Sequence, residues 1–163
     1  MSWQSMARLS SIRRALRRFA QVDGRRRLLV VEAVACLLGA RLALNLVPFP
    51  RLAGWLGTFV PPTDPRALRE TAEAPARAAL IARETGWAVT RAARHVPFRA
   101  VCLPQAMAAQ FMLRRRGVSS IMRFGAGRGA EKPLDAHAWL DAAGVEVTGY
   151  PVPQNLAEIA CFV

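Results

Sequence analysis

Apolar side chains recur at helical spacing up to His95, and beyond Pro97 the spacing passes through one more helix into the alternation of strands. That order restricts the chain to an α+β arrangement with helices first and antiparallel strands last. The spacing predicts helices over Met6–Ala20 and Arg26–Leu46, the second stopped by Pro48 and Pro50, which lack the amide donors a helix needs. Leu52–Phe59 reads as a short segment closed off by Pro61, Pro62 and Pro65. Ala67–His95 reads as two helices interrupted near Pro75 and Gly86. A helix over Leu103–Arg115 follows, with Pro104 in its first turn and Gly117 as a left-handed cap. Ser120–Phe124 is predicted as a strand and Gly125–Pro133 as a loop. Ala136–Leu140 and Val145–Thr148 should form a hairpin turning at Ala142–Gly144. The division expected is a helical region over residues 1–96 and a smaller core over 97–163, within one compact unit.

The apolar share of 53% suits a globular core. The net charge of +12 is almost wholly arginine, Lys132 being the one lysine. Arg13, Arg14, Arg17, Arg18 and Arg25 to Arg27 make a basic stretch that would suit phosphates, an acidic peptide or an anionic membrane, with Arg13, Arg14, Arg17 and Arg18 the candidate substrate or partner surface. Nucleic acid is disfavoured, because Phe19 is the single aromatic near those arginines. Leu28–Pro50 is apolar enough to suggest a membrane span, but each charge near a bilayer centre costs roughly 2.5 to 3.5 kcal/mol. Glu32, Arg41 and Asn45 are therefore expected to share one face of a buried helix, with peripheral membrane contact left open. Three scattered cysteines, Cys36, Cys102 and Cys161, point to neither a disulfide framework nor a metal site. No signal-peptide order of parts is present, so a cytoplasmic location is expected.

Cys102 falls at the first turn of its helix, where unpaired amides and the positive dipole end stabilise a thiolate. A lone boundary cysteine is more often an inert packing residue, and a base is needed to change that reading. The chain has two histidines. His95 stands in RHVPF, and His137 stands in DAHAWLD at the start of a predicted strand. His137 is the better base, because a nucleophile at a helix start and an imidazole on a packed strand form the working pair of papain-like thiol enzymes.

The run VPFRAVCLPQAMAAQFMLRRRGV, followed by DAHAWLDAAGVEV, resembles the leader peptidases of lasso-peptide biosynthesis, a branch of the transglutaminase-like cysteine enzymes. The upstream LLVVEAVACLLGARLALNLVPFPRLAGWLG is similar to the helical front of that branch. The resemblance implies a papain/transglutaminase-like core, with the Cys102 helix packed on a small antiparallel sheet carrying His137. It implies a cysteine endopeptidase without cofactor or metal, which frees the core of a ribosomal precursor by way of a thioester at Cys102. An ATP-dependent cyclase would act next, and a separate leader-recognition protein would present the precursor.

Members of the branch commonly carry an acid roughly where Thr148 and Gly149 stand here, and this chain has none there. The narrow expectation is that no side-chain acid orients His137, with Glu146 next in line and Asp141 and Asp135 also weighed. Gln105 is a candidate to polarise the scissile carbonyl, although a solvated glutamine is the commoner outcome. Other readings are an acyltransferase or transglutaminase using the same pair, and a non-catalytic module that docks on a membrane or partner through its helices.

Overall fold

The computed structural model describes residues 23–69, 74–128 and 134–163. The helix expected over Met6–Ala20, with Arg13, Arg14, Arg17 and Arg18, lies outside the described residues. The elements in chain order are α1 (Gly24–Leu46), α2 (Phe49–Leu56), β1 (Phe59–Val60), α3 (Pro65–Arg69), α4 (Ala76–Ala93), α5 (Cys102–Arg114), β2 (Ile121–Gly127), β3 (Asp135–Ala142), β4 (Val145–Thr148) and β5 (Ala157–Phe162). This is the α+β arrangement anticipated, with helices packed on a small antiparallel sheet.

The five strands are ordered β1-β5-β2-β3-β4, all neighbours antiparallel. The β3–β4 turn falls where expected, with Ala143 at φ 52° and Gly144 at φ 70°, the paired positive angles of a two-residue hairpin. β1 and β5 escape the sequence pattern: β1 is two residues long, and β5 does not alternate cleanly.

One face of the sheet carries α1, α2, α4 and α5, while α3 sets Ala67 against Ile121 and Cys161 on the other. Leu29, Val30, Ala33 and Leu37 of α1, Ala82 and Val89 of α4, and Ala109, Met112 and Leu113 of α5 form one cluster with Met122, Leu140 and Phe162. Alternation along β3 sends Leu140 and Ala142 into that cluster and His137, Trp139 and Asp141 to the other face. Because β4 is an edge strand and β5 lies beyond β2, residues 149–156 must cross β3 and β2. They cross on the His137 face, where Tyr150 bonds Asp141 and Asn155 lies against Gly127.

Several local expectations are corrected. Pro48 and Pro50 end α1 and also begin α2, Pro48 capping it and Pro50 occupying its first turn, where a missing amide costs nothing. The Leu52–Phe59 segment is therefore mostly helix. Pro65 starts α3 in the same way. Pro75 does separate two helices, but α4 runs unbroken through Gly86. That glycine is there for contact: a Cβ on it would stand 2.4 Å from the Val147 carbonyl oxygen. The cap after α5 is as expected, with Gly117 at φ 67° and the bonds Val118 N–H to Leu113 O (3.1 Å) and Gly117 N–H to Arg114 O (3.0 Å) of a Schellman ending.

α1 also departs from the expected pattern. Nine residues turn a helix through about two and a half turns, so Glu32 stands opposite Arg41 rather than beside it. Glu32 meets Arg116 at 2.5 Å and Arg115 at 3.4 Å, at the end of α5. One face of the helix is buried, while Leu28, Val31, Leu38, Leu42 and Leu46 remain exposed. α1 is long and apolar enough to cross a membrane by length and composition, with 28% of its most apolar window buried.

Candidate active site

Cys102 is the first residue of α5 and is half-buried. The backbone amides of Cys102 and Leu103 belong to the helix's unpaired first turn, Pro104 has none to give, and the Gln105 amide closes the turn on the Val101 carbonyl (3.4 Å). The Gln105 side chain turns back and donates from Nε2 to the Ala100 carbonyl at 2.6 Å. It braces the loop that delivers Cys102 and keeps its second amide hydrogen.

His137 lies near the start of β3, one of the strands on which α5 packs. Its Nε2 sits 2.5 Å from the Gly149 carbonyl oxygen. A carbonyl can only accept, so Nε2 carries the proton and, in the neutral ring, Nδ1 keeps the lone pair of a base. The Trp139 ring stacks alongside, with centroids 6.1 Å apart and planes at 21°. The elements carrying Cys102 and His137 pack together, but α5 lies on the Leu140 face of β3 while His137 projects from the opposite face, and no hydrogen bond joins the two side chains among the described residues.

The other candidates are placed elsewhere. His95 is exposed beyond the end of α4, its Nδ1 donating to the Arg91 carbonyl at 2.9 Å. Glu146 is exposed and pairs in register with Asp141, so the structure does not bring it to His137. Asp135 is exposed opposite Gly127. Asp141 accepts from Arg123 Nε at 2.7 Å and from the Tyr150 hydroxyl. Gly149 and Tyr150 were not singled out for their own chemistry, because a carbonyl contact leaves no residue-type signature. The absence of an acid at that point of the sequence was the available signal.

The remaining thiols are quiet. Burial pushes Cys161 up to about 12, helped by the Glu158 carboxylate that its Sγ meets at 2.9 Å. Burial, with the Glu32 charge, also raises Cys36. No group of three or more metal-ligating side chains occurs among the described residues.

The family model for the transglutaminase-like superfamily matches residues 43–161, which hold both Cys102 and His137. The chain belongs to the transglutaminase-like superfamily. Searches of curated proteins and of solved structures returned no match. Membership of the superfamily supports a cysteine peptidase or acyltransferase type of fold, and in this transglutaminase-like chain His137 Nε2–H donates to a backbone carbonyl and not to a side-chain acid.

Proposed function

We propose that this superfamily member is a cysteine endopeptidase that removes the leader from a ribosomally made lasso-peptide precursor. The observation that supports the reading is the His137 tautomer: Nε2–H is tied to Gly149, leaving Nδ1 as base, and because His137 stands on the sheet face away from α5 the reading requires the imidazole and the Cys102 thiol to come together on substrate binding. Nδ1 takes the Cys102 thiol proton, and the thiolate attacks the carbonyl carbon of the scissile amide. The imidazolium then protonates the leaving nitrogen as the C–N bond breaks, releasing the core peptide and leaving a thioester on Cys102. A water deprotonated by His137 hydrolyses the thioester and returns the thiol. Oxyanion donors would be the Cys102 amide and the second hydrogen of the Gln105 carboxamide.

The partners in this reading are the precursor, a separate leader-recognition protein and an ATP-dependent cyclase, all cytoplasmic. Only the two-residue β1 precedes Cys102 among the described strands, which leaves little edge for a leader to join as an added strand. The test is mass spectrometry of a leader–core precursor incubated with the chain, with and without a leader-binding partner. Two fragments, formed faster with the partner, are expected. An intact precursor with every component present would overturn the assignment.

A second reading is favoured by the exposed leucines of α1. These would dock on an anionic membrane surface, assisted by the basic residues at the helix start and flank.

A further inference from the structure

Gly149 occupies a position that admits no side chain. Its φ is +86°, and a Cβ there would stand 2.5 Å from the Ala138 carbonyl oxygen and 2.8 Å from Trp139 Cα. Its carbonyl belongs to the segment crossing from β4 to β5, outside any strand, where backbone is ordinarily free to shift. The neighbouring Tyr150 anchors it. The Tyr150 hydroxyl donates to Asp141 Oδ1, and Asp141 Oδ2 is held by Arg123 Nε at 2.7 Å. Arg123 is itself fixed from three sides, donating also to Glu158 Oε1 at 2.7 Å and to the Ala67 carbonyl at 3.0 Å. Its side chain is only 11% exposed, so these bonds are shielded from competing water.

We propose that Tyr150 and Asp141, braced by Arg123, are positioning residues that hold the Gly149 carbonyl against His137 Nε2 and so do by backbone what an orienting acid does by side chain. The inference rests on the active-site reading above only for its catalytic consequence. The geometry it claims stands without catalysis. It also gives Asp141 a role at one remove, acting through Tyr150 and Gly149 and never touching the imidazole.

The experiment is proton and nitrogen NMR of the His137 ring in the full-length chain, with His95→Gln used to assign the two imidazoles. The wild type should show a downfield Nε2–H proton protected from exchange with water. In Tyr150→Phe, which keeps the ring and removes only the hydroxyl, protection should fall about tenfold, the equivalent of one hydrogen bond. Asp141→Asn keeps an acceptor oxygen for Tyr150 and should retain more protection than Asp141→Ala. Alkylation of Cys102 by iodoacetamide is followed in parallel against pH. A protected proton lost in Tyr150→Phe establishes the positioning role, even where Cys102 alkylates as an ordinary thiol and the peptidase reading fails. An unchanged proton in Tyr150→Phe and Asp141→Ala overturns the role, whatever Cys102 does.

Discussion

Gly86 of α4 and Val147 of β4 meet backbone to backbone, with 2.4 Å between a Cβ built on the glycine and the Val147 carbonyl oxygen. In an exposed helix interior, replacing glycine by alanine stabilises by about 1 kcal/mol. Here the methyl must push α4 off β4, and over-packing of that kind costs about 1 to 3 kcal/mol. Gly86→Ala should therefore lower the urea midpoint. A raised midpoint would mean that the helix and strand are not seated as described.

Replacement of Cys102 by Ala should abolish precursor cleavage while leaving thermal unfolding nearly unchanged, since a half-buried thiol contributes little packing and, in the proposed mechanism, all of the covalent chemistry. His137→Ala should do the same. His95→Ala should keep most activity, because His95 bonds only the Arg91 carbonyl at a helix end. Glu146→Gln should also lower the rate far less than His137→Ala, its carboxylate being exposed and paired along β4 with Asp141. Product masses over time check all four, and loss of cleavage in His95→Ala would reassign the base.

Iodoacetamide should modify Cys102 ahead of Cys36 and Cys161, because burial raises both of the latter. Peptide mapping of alkylated protein at about pH 9, where an ordinary thiol ionises, gives the order of labelling. Equal labelling of the three contradicts the burial pattern.

The Glu32–Arg116 pair makes stability depend on pH with a definite sign. Glu32 is held below the ordinary carboxylate range, chiefly by its hydrogen bond from Arg116. A lowered folded-state value means the contribution is complete above the unfolded carboxylate value and disappears as pH falls through the folded one. Glu32→Gln should thus be less stable than the wild type at pH 7, by about 1 kcal/mol for a pair partly open to water. The two should converge in strong acid. Parallel unfolding curves at pH 7 and pH 2.5 give the answer, and a gap that persists in acid would show that charge is not its source.

For α1, flotation with vesicles of phosphatidylcholine alone or mixed with phosphatidylglycerol tests the exposed row. Leu38→Ser with Leu42→Ser should reduce binding to the anionic vesicles by more than about tenfold, since about 0.8 kcal/mol accompanies each buried methylene and the two changes remove several. Equal binding before and after the change would remove membrane docking from consideration.

The α+β order, the helix that begins at Cys102, the Gly117 cap and the β3–β4 hairpin were all legible in the chain, because each depends on side-chain spacing or backbone preference within a few residues. The placements of Cys102 at a helix start and His137 in a strand were legible for the same local reason, whereas the face of the sheet that His137 takes was not. What folding alone decided involves residues far apart in sequence. Gly86 reads as a helix breaker until β4 is laid against it, and β1 becomes a strand only by pairing with β5. α1 keeps an exposed leucine row because only one side of a helix can face a sheet-backed core. The partner of His137 was the least readable feature. A carbonyl belongs to every residue, and whether the one on Gly149 meets an imidazole depends on the Tyr150–Asp141–Arg123 chain of bonds that tertiary packing assembles.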